Sequence, residues 1–155
     1  MATPDFVLAL REKIGTAPLW LSGVTAVVIR GDEVLLVRRS DTGAWTPVTG
    51  IIDPGEQPAV AAARETLEEA DVVAVPERLA RIGVTEPIVY PNGDESQYLD
   101  LTFRLRWVSG TPAPADGENL EARWFTLDDL PPMSDDMLGR LSAAVDDRVE
   151  TRFEI

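Results

Sequence analysis

Residues 50–72, GIIDPGEQPAVAAARETLEEADV, decide the fold. They join a turn-rich loop to a helix. Pro54 and Gly55 punctuate the loop, while Gln57 to Ala70 has the composition of a strong helix, with Pro58 in the first turn where its missing N–H does no harm. At about 100° per residue, Val60, Ala63, Leu67 and Ala70 fall in one stripe, the side expected to face the core, with Glu65, Glu68 and Glu69 on the opposite side. Carboxylates at i, i+3 and i+4 repel one another, so such a face calls for either plain solvation or a bound cation.

Upstream, Val24 to Arg30 and Glu33 to Arg38 are β-rich runs separated by Gly31-Asp32, a tight-hairpin signal. Before them, Asp5 to Ile14 reads as a short helix with Phe6, Leu10 and Ile14 on one side. Downstream, Leu79 to Tyr90 and Gln97 to Val108 read as long strands around the turn Pro91-Asn92-Gly93-Asp94. Leu99, Leu101, Phe103, Leu105 and Trp107 alternate there with Asp100, Thr102, Arg104 and Arg106. A polar loop, Gly110 to Asn119, leads to a short strand at Arg123 to Phe125, and Ser134 to Val149 reads as a closing helix. Hairpins mixed with helices predict an α/β (α+β) class with a mixed sheet, and residues 1–155 suit one domain.

Composition narrows the chemistry. The chain has 27 acidic and 14 basic side chains, a formal net charge of -13, no His, no Cys, and Lys13 as its single lysine. Without His or Cys, a Ser-His-Asp triad, a thiol nucleophile, disulfides and most zinc sites are excluded. Lys13 stands in KIGT, outside any GxxxxGK[ST] run. An enzyme built from this inventory must work mainly with carboxylates, in company with a metal. The negative charge argues against a duplex nucleic-acid surface and an anionic membrane face. The N-terminal segment has no basic region ahead of its short apolar stretch, and no run approaches a membrane span, so a cytoplasmic setting is expected.

From Gly50 the fixed positions run to Glu56, Arg64, Glu65, Glu68 and Glu69. This spacing resembles the Nudix box, G-x5-E-x7-R-E-U-x-E-E-x-G-U with U apolar, and all six of those polar or glycine positions match. LLVRR (Leu35 to Arg39), DPGE (Asp53 to Glu56) and ARWFTLDDLP (Ala122 to Pro131) are typical company for it. Three positions depart from the pattern. Thr49 replaces a usual glycine, Thr66 fills an apolar slot, and Asp71 stands where Gly normally ends the helix, Asp being among the few residues that tolerate the left-handed conformation.

The resemblance implies a Nudix fold, a mixed sheet sandwiched between helices. It implies a MutT-like pyrophosphohydrolase that cleaves the diphosphate of a nucleoside diphosphate-X substrate, either a nucleoside triphosphate or an ADP-ribose or nucleotide-sugar type. Hard oxygen ligands suit Mg²⁺, or Mn²⁺ in its place. Glu65 and Glu69 are then implied as metal ligands, with Glu68 a further ligand or the base that activates water, and the Thr49 carbonyl beside them. Glu118, or alternatively Glu121, lies where some family members supply another ligand or the general base. Arg64 is expected to pair with Glu56 or a neighbouring Glu, so that Gly50, Glu56 and Arg64 orient the loop and helix; the alternative is an ordinary i,i+4 pair with Glu68. Arg39 matches a substrate-contacting position, and Arg38 should point to the other face of its strand. Trp45, Tyr90 and Tyr98 could stack on a base.

RNA decapping is disfavoured by the acidic charge and the lack of a basic extension, and isopentenyl diphosphate isomerase chemistry by the absence of Cys. The alternative from another class is a nucleotide-binding regulatory Nudix module without turnover. The charge could also mark an adaptation to salt. A homodimer through the first or last helix is left open.

Overall fold

The computed structural model describes residues 3–155 and consists of three helices and one eight-stranded mixed sheet. In chain order these are α1 (Asp5–Ile14), β1 (Leu19–Arg30), β2 (Glu33–Arg39), β3 (Trp45–Thr46), β4 (Val48–Ile51), α2 (Pro58–Ala70), β5 (Val73–Val84), β6 (Ile88–Val89), β7 (Glu95–Ser109), β8 (Asn119–Thr126) and α3 (Asp135–Val145).

β1 is the spine. It runs parallel to β7 from Leu19↔Ser96 to Ile29↔Arg106, and the antiparallel β5 covers the far side of β7. The other edge of β1 is shared. Gly23 to Ala26 pair with β4, whereas Ile29 and Arg30 pair with β2, so two strands leave one edge in different directions. β2 in turn carries β3 and β8.

Both faces of β1 and β2 are buried, which explains their unbroken Val/Leu/Ile composition. Val24, Ala26, Val28, Leu35 and Val37 pack with Ala61, Ala62 and Ala70 of α2. Val27, Val34 and Leu36 pack with Leu141, Ala143 and Ala144 of α3. The expected mixed sheet between helices is what forms.

Four expectations need correcting. α2 does not bury the Val60/Leu67 stripe: these are 58% and 48% exposed, and the face turned inward is Ala61, Ala62, Glu65, Thr66, Glu69 and Ala70. Small alanines let the helix sit close to the sheet, and Thr66 satisfies its hydroxyl by donating to the Ala62 carbonyl at 2.8 Å. In α1 it is Val7 that is buried, beside Leu21 and Ile51 with Phe6 packed against them, while Leu10 and Ile14 are exposed. The strand expected at Leu79 to Tyr90 starts earlier, at Val73, and ends at Val84. It absorbs Pro76 at a register shift on an edge strand, where a missing N–H is tolerated. The closing helix stops at Val145, with Ser134 as its N-cap accepting from the Met137 N–H at 3.3 Å. No helix among the described residues is long and apolar enough to cross a membrane.

Candidate active site

The loop before α2 is held by one guanidinium. Arg64 grips Glu56 with two bonds of 2.8 Å, donates to the Ile51 carbonyl at 3.3 Å, and reaches Glu65 at 2.9 Å and Glu68 at 3.0 Å. Arg64 thus makes both contacts at once, the bond from helix to loop and the i,i+4 pair. The Arg64 hydrogen bonds pull the Glu56 carboxyl below its ordinary range, and Glu56 raises Arg64 above its own.

Glu65 lies beneath this tie and has no exposed surface. The Gly50 backbone passes so close that a Cβ there would sit 2.2 Å from the Glu65 Cδ. Only glycine permits this approach. Glu65 Oε2 is buried without a hydrogen-bond partner. Burial pushes the Glu65 carboxyl up to about 8, against the pull of Arg64 and with Glu69 and Glu68 adding to the rise.

One turn further on, Glu69 meets the loop that joins β7 to β8. The last carbonyls of a helix lack intrahelical donors, and here the loop supplies them: the Ala113 N–H donates to the Ala70 carbonyl at 3.0 Å and the Ala115 N–H to that of Glu69 at 3.2 Å. Asp71 ends the helix at φ 55°, the left-handed conformation expected of it. Gly110 starts the loop so close to this cap that a Cβ would lie 2.4 Å from the Asp71 carbonyl oxygen. Docked this way, the loop delivers Asp116 and Glu118 to Glu69. The three carboxylates each offer an oxygen, all within 4.8 Å of one another. Burial raises the Glu69 carboxyl to about 7, with the Asn119 side chain opposing and Asp116 and Glu118 adding.

Of the residues singled out from sequence, Glu69 and Glu118 are thus brought together, and Asp116 joins them. Sequence reasoning passed over Asp116 because a polar loop has no period; its nearness to Glu118 was the only signal. Glu65 stands beside this group on the same helix face, outside its 4.8 Å radius. Glu68 is exposed and turned to Arg64. Glu121 pairs with Arg38 at 2.9 Å, away from the cluster. Arg39 is held by Asp41 through bonds of 2.9 and 2.7 Å, which with the fields of Asp41, Glu69 and Glu118 raise it above its ordinary value despite its burial.

A cleft of about 870 Å³ opens beside the cluster, walled by Arg39, Thr49, Gly50, Tyr90, Tyr98 and Glu118 among others. The Tyr90 and Tyr98 hydroxyls lie 2.8 Å apart. Trp45 is turned away, edge-on to Phe125 at 4.8 Å and beneath Arg123, so it is not on the wall of the cleft. The donor set is wholly hard oxygen and crowds four acids, with a partnerless buried oxygen on Glu65. That set fits a small divalent cation.

A family model described as NUDIX domain matches residues 20–144. The chain belongs to the Nudix family. Among curated relatives, the NAD-capped RNA hydrolase NudC of Pseudomonas syringae is 35% identical over 109 residues, covering 69% of this Nudix chain and 36% of the relative. The chain thus spans little more than a third of the length of the curated relatives it matches. Among solved structures, an ADP-ribose pyrophosphatase from Streptococcus suis superposes with a TM-score of 0.66 at 24% identity, covering 86% of this chain and 98% of that one. A MutT NUDIX hydrolase from Burkholderia pseudomallei gives 0.67 at 24% identity, covering 82% and 99%. These two establish likeness of fold.

Proposed function

We propose that this Nudix chain is a pyrophosphohydrolase that cleaves the diphosphate bridge of a nucleoside diphosphate linked to a second group. The observation that carries the reading is the buried, partnerless Glu65 Oε2 under the Gly50 backbone, next to the gathered oxygens of Glu69, Asp116 and Glu118. Burying a carboxylate oxygen without a donor is costly, so a cation that completes Glu65 Oε2 accounts for its position.

Glu65, Glu69, Asp116 and the Thr49 carbonyl would hold Mg²⁺, with Mn²⁺ as a substitute. When bound, the ion supplies Lewis acidity to the phosphate oxygens and lowers the pKa of the attacking water. Glu118, within the carboxylate group and on the cleft wall, takes the proton as water attacks phosphorus and the bridging P–O bond breaks. Glu68 is held outward by Arg64, which disfavours it as the base. Arg39 exchanges Asp41 for a phosphate oxygen, a trade its planar guanidinium makes without changing geometry. Arg64, Glu56 and Gly50 hold the loop and helix in register and touch no reacting atom.

The cleft volume is within the range for ligands of nucleotide size. NAD and ADP-ribose, the compounds in the names of the relative and the structural neighbour, share a pyrophosphate bridge, which favours that class over simple triphosphates. The capped RNA of the relative's name is a poorer match to a chain of net charge -13. A panel of ADP-ribose, NAD, a nucleotide sugar and nucleoside triphosphates, assayed for nucleoside monophosphate with Mg²⁺ present, tests the reading. Release of AMP from ADP-ribose or NAD supports it. Binding of these compounds with no product from any of them would instead favour a nucleotide-sensing module.

A further inference from the structure

Asn119 is the first residue of β8 and is buried. It pairs with Arg39 across a register shift that falls between Arg38 and Arg39. Next to it, Ser40 donates to the Glu118 carbonyl twice, from its N–H at 2.9 Å and from its hydroxyl at 2.6 Å. The end of the loop is therefore fastened to the β2–β3 hairpin, and the fastening points the Asn119 side chain at α2. There Nδ2 donates to Glu69 Oε2 at 3.0 Å, a buried bond between residues 50 apart in sequence.

The choice of an amide at this point has a chemical consequence. A carboxylate whose oxygen is held by a neutral donor is fixed in rotation but keeps its full negative charge. An arginine or lysine there would fix it equally well and cancel the charge. A leucine would remove this anchor. Metal-ligating groups are oriented in this way by neighbours that do not touch the ion. We propose that Asn119 is a positioning residue which sets the Glu69 carboxylate for a divalent cation, with Ser40 holding the strand end that carries it. The inference rests on the metal reading given above.

The probe is Mn²⁺ alone, followed by loss of the free-ion EPR signal, on the full chain and on Asn119→Leu, Asn119→Ala, Asn119→Ser and Glu69→Gln. The Leu and Ala variants are expected to bind Mn²⁺ roughly 10- to 100-fold more weakly. The Ser variant, which keeps a donor, should fall between them and the parent. Excess Mn²⁺ should restore turnover in the Asn119 variants and not in Glu69→Gln. Melting of the metal-free proteins reports separately on folding, and the Ser variant remains informative if the apolar ones unfold. Asn119→Leu or Asn119→Ala with a lower melting temperature but parental Mn²⁺ affinity assigns Asn119 a purely structural part and overturns the inference. A parent chain that takes up no Mn²⁺ overturns the metal reading and this inference together.

Discussion

The two faces of β1 each carry a cluster of charge, and they are built on opposite rules. On the α3 face, Arg140 meets Asp100 at 2.9 Å, both nearly inaccessible, and Thr25 and Thr102 donate to the two Asp100 oxygens at 2.8 Å each. Asp136 completes the guanidinium at 2.5 Å from the solvent side. A buried cation answers a buried anion, and both Asp100 oxygens accept hydrogen bonds. On the α2 face, Arg64 stands against Glu56, Glu65 and Glu68, with Glu69, Asp116 and Glu118 beyond it. The first cluster is a closed structural joint. The second leaves Glu65 Oε2 buried without a hydrogen-bond partner, which supports the proposal that it receives a cation.

The contrast is broken most severely by exchanging the roles. Glu69→Gln should cut turnover by orders of magnitude while the chain still melts cooperatively, because shape and the Asn119 bond are kept and only charge is lost. Arg140→Leu should do the reverse, costing about 3–5 kcal/mol of stability by leaving Asp100 buried and unpaired. Chemical denaturation of both, read beside their turnover, would erase the distinction if each variant lost stability and activity in equal measure. Gly50→Ala is expected to lie between, losing about 1–3 kcal/mol and much of its metal affinity as the Glu65 side chain is pushed aside.

Titration sharpens the comparison. Glu65 and Glu69 have folded pKa values near 8 and 7, above their ordinary value of 4.5, so between these limits the folded state holds more protons than the unfolded one. Stability of the metal-free chain should then fall as pH rises from about 5 to about 8, and Mg²⁺ should restore it at the upper end. Glu56 works the other way. Its carboxyl is depressed by Arg64, so its contribution is present above its unfolded pKa and lost as pH falls through the folded one. Melting curves of the metal-free protein across this range give the sign, and a rise in stability toward pH 8 without metal would contradict it. The smallest effect is expected at Asp71→Gly, which relieves a left-handed residue at φ 55° and should add up to about 1 kcal/mol with turnover unchanged.

How much of this was legible in the sequence follows from the range of each interaction. The Arg64–Glu65–Glu69 register could be read because a helix fixes its own spacing. The direction α2 faces could not be read from hydrophobicity. An apolar-in rule turns Val60 and Leu67 inward, whereas the packing of α2 takes Glu65 and Glu69 inside and leaves those two in solvent. Likewise Asp100 and Thr102 fall on the polar side of an alternating strand, yet α3 covers them with Arg140. Asp116 and Asn119 reach the site only through hydrogen bonds between a loop and the end of α2, and no local pattern announces such a contact.

The gathered carboxylates are proposed to hold a divalent cation for cleavage of a diphosphate. The most direct measurement is AMP formation from ADP-ribose by chelator-treated protein as Mg²⁺ is titrated back. AMP should be absent without the ion, rise with it to saturation, and stay near zero throughout for Glu69→Gln. Equal AMP formation in the presence of chelator, or by the Glu69→Gln protein, would contradict the account.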